Sequence, residues 1–64
     1  MFYVYLLQSK REPKQVYVGL TTDLRARFAD HNAGRLPHTS KCRPWRLVCY
    51  HAFADERRAV EFEA

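Results

Sequence analysis

The 64-residue sequence predicts a small α+β fold, a three-stranded antiparallel sheet with helices packed on it in the order β-β-α-β-α. Two apolar runs separated by a short charged loop read as a hairpin. The hydrophobic period then changes from two to about 3.6 near Thr22, and a third apolar run, Trp45 to Phe53, is followed by a helix with its own cap.

Phe2 to Gln8 is an unbroken run of aromatic and branched residues, which suits a strand covered on both faces better than a half-exposed one. Ser9 to Lys14 interrupts it with charge and a proline, and Gln15 to Leu20 forms the second strand. A loop of that length is too short for a parallel crossover, so the two strands pair antiparallel. From Thr22, Leu24 and Phe28 share one helical stripe, while Asp23, Arg25, Ala26 and Asp30 fall mostly off it. Thr21 or Thr22 can cap this helix, Asp23 suits the positive end of its dipole, and Asn32-Ala33-Gly34 ends it. Arg35 to Pro44 reads as a loop. Asp55 can cap the last helix, with Ala59 and Phe62 on one side.

A chain this short forms one domain and buries only about 60% of the surface that its unfolded form exposes. With 47% hydrophobic and 14% aromatic residues it has a folded composition, free of repeats and low-complexity segments. Eleven Lys and Arg against seven Asp and Glu give a net charge of +4, a field that favours anionic partners, nucleic acid first among them. No apolar run approaches the roughly 18 to 20 residues of a membrane span, and Met1 to Leu7 carries neither basic leader nor cleavage site, so a cytoplasmic protein is expected. Cys42 and Cys49 are expected as reduced thiols, Cys49 a small buried hydrophobe and Cys42 a loop thiol. Together with His38 and His51 they do not have the spacing of a zinc site.

Four residues apart on the first helix, Arg27 and His31 border the Leu24/Phe28 stripe beside the sheet, whereas Arg25 falls roughly 160° from Arg27 and faces solvent. Tyr5 and Tyr17, if in register, present both hydroxyls on one surface. A catalytic phenol needs its pKa lowered from near 10, and Arg27 is the cation expected to do so. Glu63 follows Ala59 by four residues and shares the inward side of the last helix, while Glu61 points elsewhere. Gly19 either ends its strand or lets a phosphate approach closely. Thr21 can cap the helix or donate to a phosphate, and Lys41 and Arg43 add cations on the loop.

Tyr3-Val4-Tyr5, Tyr17-Val18-Gly19, Arg27 ten residues after Tyr17, His31 four further on and Glu63 on a later helix together resemble a GIY-YIG nuclease domain over essentially the whole chain. Within that superfamily the chain is similar to small stand-alone bacterial proteins of the UPF0213 or YhbQ-like kind, through YVGLTTDLRARFADHNAG and FADERRAVEFEA. Tyr3 stands where the motif's name has glycine, and Val4 and Val18 replace isoleucine. The resemblance implies an endonuclease-type domain hydrolysing DNA phosphodiester bonds with one divalent cation, Mg²⁺ or Mn²⁺, per site. By position, Tyr5 or Tyr17 activates the attacking water, Arg27 stabilises charge on the phosphate, His31 assists and Glu63 anchors the metal. It also implies a helix that continues beyond Ala64, so that the C-terminal part of the domain is expected to be missing and the last turn, ending in the Ala64 carboxylate, to fray. The competing reading is a non-catalytic nucleic-acid-binding module of the same fold, with Arg27, Lys41, Arg43, Arg46 and the hairpin loop gripping the backbone.

Overall fold

The computed structural model describes residues 1–63; the expectation for the Ala64 carboxylate lies outside them. The elements are β1 (Phe2–Ser9), β2 (Val16–Thr21), α1 (Leu24–Ala33), a 3-10 turn (Ser40–Cys42), β3 (Trp45–Phe53) and α2 (Glu56–Glu63). The sheet is antiparallel throughout in the order β2-β1-β3. The expected fold class and element order are therefore present, with strand limits moved by about one residue.

β1 lies in the middle, and its apolar run is explained by coverage on both faces. Tyr5 and Leu7 face α1, where with Trp45 they form a core joined by Leu24, Phe28 and Leu47. Val4 and Leu6 face the other way, toward Phe62 of α2. Trp45, Leu47, Cys49, His51 and Phe53 alternate as if they shared one face of β3, but a bulge interrupts the pairing between Leu6/Cys49 and Leu7/Leu47, leaving Val48 as the extra residue. The bulge turns Trp45 and Leu47 into the α1 core and leaves Cys49 and His51 on the α2 face. The two thiols are consequently reversed from expectation: Cys42 is half-buried against the core and Cys49 is exposed.

α1 begins two residues later than its period suggested. Asp23, rather than Thr21 or Thr22, is the N-cap, and its carboxylate accepts from the Ala26 N–H at 3.1 Å. Thr21 shapes the preceding turn, its hydroxyl accepting from the Asp23 N–H at 3.1 Å. Gly34 closes the helix in the left-handed region, φ 77°, with its N–H on the Asp30 and His31 carbonyls. Asn32 joins α1 to β3, its side-chain oxygen accepting from the Trp45 N–H at 2.5 Å. Asp55 caps α2 as expected, accepting from the Arg57 N–H at 2.8 Å, and Ala59 is fully buried beneath the helix. No helix among the described residues is long and apolar enough to cross a membrane.

Candidate active site

Tyr5 pairs with Gly19 across β1 and β2, and Tyr17 pairs with Leu7, one step along on the same face. The two tyrosines are thus diagonal neighbours rather than direct partners, with ring centroids 6.3 Å apart. Gly19 has a reason that neither sequence alternative supplied. The phenol of Tyr5 lies across its backbone, and a Cβ on residue 19 would collide with the hydroxyl and its ring carbon. The phenol is thereby carried over β2 toward α1.

There it meets His31, whose Nε2 is 2.9 Å from the Tyr5 hydroxyl and whose Nδ1 is 2.7 Å from the Thr39 hydroxyl. Both rings are 1% exposed. Burial, and then the Arg27 charge, lower the His31 pKa from its ordinary 6.5, with Asp30 opposing, so the imidazole is neutral and carries one N–H. The Leu36 carbonyl, 3.4 Å from the Thr39 hydroxyl, can only accept. One proton order therefore satisfies every group. Tyr5 donates to His31 Nε2, His31 Nδ1–H donates to Thr39, and Thr39 donates to Leu36. The Trp45 indole N–H fixes the far side, donating to the Thr39 carbonyl at 2.9 Å.

This order reverses one expectation. The Tyr5 pKa is raised to about 12, by burial first and then by the Tyr17 phenol, against a downward pull from Arg27 and with a smaller upward push from Glu63. Desolvation outweighs the guanidinium, and Tyr5 is a hydrogen-bond donor rather than a ready base. Tyr17 is the more accessible phenol: it is half-buried, its ring 5.0 Å from that of His31. Arg27, half-buried one helical turn before His31, acts on both Tyr5 and His31 and enters no ion pair among the described residues.

Glu63 approaches from the other layer. It shares an open groove of about 280 Å³ with Tyr5, Val18 and Phe62, and its own side chain is exposed. Glu61 lines a different groove with Asp55 and Val60, as its helical position predicted. The site is thus built around the β2 edge: two phenols and a glycine from the hairpin, an arginine and a histidine from α1, a carboxylate from α2. No group of three or more potential metal-ligating side chains occurs among the described residues.

The model of the GIY-YIG catalytic domain matches residues 1–64. The chain belongs to the GIY-YIG family. It is 39% identical over 69 residues to the structure-specific endonuclease subunit slx1 of Schizosaccharomyces japonicus, a match covering 98% of this chain and 25% of the relative. To a UPF0213 protein of Streptococcus pyogenes serotype M5 it is 38% identical over 63 residues, covering 97% of this chain and 66% of that protein. A UPF0213 protein of Lacticaseibacillus paracasei is 44% identical over 48 residues, 73% of this chain and 54% of the relative. The chain therefore spans a quarter to two thirds of the length of these proteins.

The GIY-YIG domain thus brings Tyr5, Tyr17, Gly19, Arg27, His31 and Glu63 to one edge of the sheet, while Lys41 and Arg43 lie elsewhere. Thr21 is buried and engaged with Asp23. Arg43 lays its guanidinium over Gly34, so a Cβ there would strike it, and Lys41 is exposed on the 3-10 turn. Sequence reasoning missed Thr39, which fixes the His31 tautomer. Its partners are eight residues away and across a loop, and no periodicity marks it.

Proposed function

We propose that this domain hydrolyses phosphodiester bonds in DNA. The observation that carries the reading is Arg27, a half-buried guanidinium with no carboxylate partner among the described residues, close enough to Tyr5 and His31 for its charge to act on both. A cation kept partly from water and left unpaired suits an incoming phosphate, to which its planar fork can donate two parallel hydrogen bonds. In this reading Tyr17 is the base. Its accessible side chain, as the phenolate, takes the proton of the attacking water while the phosphorus–oxygen bond to the leaving group breaks, and the resulting phenol returns that proton to the leaving oxygen or to solvent. Tyr5 and His31 hold Tyr17's surroundings. Their donor and acceptor sites are occupied by each other and by Thr39, so they orient rather than transfer the proton.

The donor set fits one divalent cation of the hard kind. A single exposed carboxylate, Glu63, matches Mg²⁺ or Mn²⁺, which keep several waters and take one or two carboxylates together with phosphate oxygens. Such an ion, when bound, neutralises charge on the leaving oxygen. Two unpaired thiols, Cys42 and Cys49, suit a reducing cytoplasm. The deciding experiment is incubation with single-stranded, duplex and branched DNA in Mg²⁺ or Mn²⁺, beside Arg27→Ala and Glu63→Ala. Cleavage that both variants lose while retaining DNA binding supports the reading. Binding without cleavage by the wild type under every condition would make the domain a non-catalytic binder.

A further inference from the structure

The molecule's charge is divided along its sheet. Four of its seven acidic residues, Asp55, Glu56, Glu61 and Glu63, lie on or next to α2, which follows the Phe2/Phe53 end of the β1–β3 pair. The Ser9/Trp45 end carries Lys10, Arg11 and Lys14 on the hairpin loop and Lys41 on the 3-10 turn, against one carboxylate, Glu12. None of these four cations enters an ion pair; the single pair among the described residues is Arg35–Asp30.

Two chain segments far apart in sequence are locked together here by one buried hydroxyl. Ser9, 1% exposed, donates to the Cys42 carbonyl at 2.5 Å and accepts from the backbone N–H groups of Arg11 (3.2 Å) and Glu12 (2.9 Å). The Lys10 N–H donates to the Pro44 carbonyl at 2.9 Å. The lock holds the hairpin loop against the 3-10 turn, and Arg11, Glu12, Gln15 and Lys41 line an open groove of about 480 Å³ between them.

The groove's place relative to the site follows from strand geometry. Tyr17 is two residues beyond Gln15, and Tyr5 is four residues before Ser9. At about 3.3 Å per residue these separations are roughly 7 and 13 Å, within reach of one nucleic-acid backbone that also meets Tyr17. We propose that the Arg11/Lys41 groove is a second phosphate-binding site, holding the nucleic-acid backbone roughly 7 to 13 Å from the bond at Tyr17 and Arg27. The distance to the scissile bond rests on the nuclease reading; the phosphate site itself does not. Ser9 ties together the two backbone segments that carry these cations, so both are presented to the same groove.

The test measures binding of fluorescein-labelled single-stranded and duplex DNA without metal ion, from 50 to 200 mM salt. Two variants remove the same charge at opposite ends, Arg11→Ala/Lys41→Ala and Arg57→Ala/Arg58→Ala. Removing two phosphate contacts lowers the slope of log affinity against log salt by about 1.8 on duplex and about 1.4 on single strands. That change in the groove variant, with a wild-type slope in the α2 variant, is the expected result. Equal losses in both, or none in the groove variant, overturn the proposal. This assay reads no cleavage, so the slopes alone decide the groove, and a failure of the separate cleavage experiment with Mg²⁺ or Mn²⁺ overturns the nuclease reading without touching the groove.

Discussion

Tyr5 and Tyr17 are chemically the same group on neighbouring strands, and the proposed mechanism gives them different work. Substituting each by phenylalanine tests this. In Tyr5→Phe the His31 Nε2 loses its donor at a site 1% exposed, where no water replaces it. Leaving a buried acceptor without a partner costs about 1–3 kcal/mol. For a domain of this size each kcal/mol moves the melting midpoint by roughly 4–8 °C, so a fall of about 4–24 °C is expected. Tyr17→Phe removes a hydroxyl with no partner among the described residues, and its stability stays within about 0.5 kcal/mol of the wild type. Activity separates the pair in the opposite sense. Loss of a general base lowers cleavage about 10²–10⁴-fold, which Tyr17→Phe incurs, while Tyr5→Phe below its melting range keeps most of its rate. Thermal unfolding followed by circular dichroism, with single-turnover cleavage of a labelled oligonucleotide, reads both quantities. A Tyr5→Phe protein as stable as the wild type, or a Tyr17→Phe protein that cuts at the wild-type rate, would refute the division of roles.

Four further outcomes follow from the same geometry. His31 has a folded pKa below its unfolded 6.5, so the unfolded chain binds more protons in that interval. The stability it contributes is complete above pH 6.5 and is lost as pH falls from there through the folded value, which urea midpoints between pH 8 and 4.5 will show as a decline confined to the acid side. Tyr5, raised to about 12 from 10, gives the mirror case, with stability falling as pH rises from 10 toward 12. Thr39→Val removes the acceptor for His31 Nδ1–H and costs about 1–3 kcal/mol in the same assay, whereas Thr39→Ser keeps the hydroxyl and most of the stability. Gly19→Ala places a methyl on the Tyr5 phenol and costs about 1–3 kcal/mol, and a double-mutant cycle with Tyr5→Leu recovers much of it.

Much of the frame is legible in the sequence because the forces that set it are local. The hairpin, the Leu24/Phe28 stripe, the glycine stop at Gly34 and the Asp55 cap each depend on residues within a turn or two of one another. Arg27 and His31 fall beside the sheet for the same reason. What depends on long-range contact is not legible. Alternation along β3 puts Trp45 and His51 on one face until the bulge at Val48 separates them, and only pairing with β1 reveals that extra residue. The protonation of Tyr5 turns on how deeply a phenol is carried over Gly19, which spacing does not measure, and so a neighbouring arginine looked decisive when burial was. The positions of Thr39 and Ser9 are fixed by partners 8 and 33 residues away.

The sheet order β2-β1-β3 places the two tyrosines on strands of unequal permanence. β1, hydrogen-bonded on both sides and packed on both faces, has the amides that exchange with solvent only when the whole molecule opens, whereas β2 is an edge that can detach by itself at lower free energy. Tyr5 therefore belongs to the central strand, whose opening is global unfolding, and Tyr17 to the edge strand, whose opening costs less. The site comes apart before the protein does. In rising denaturant, cleavage is lost at concentrations where the β1 amides are still protected, and the gap between those two midpoints measures how loosely the working phenol is held.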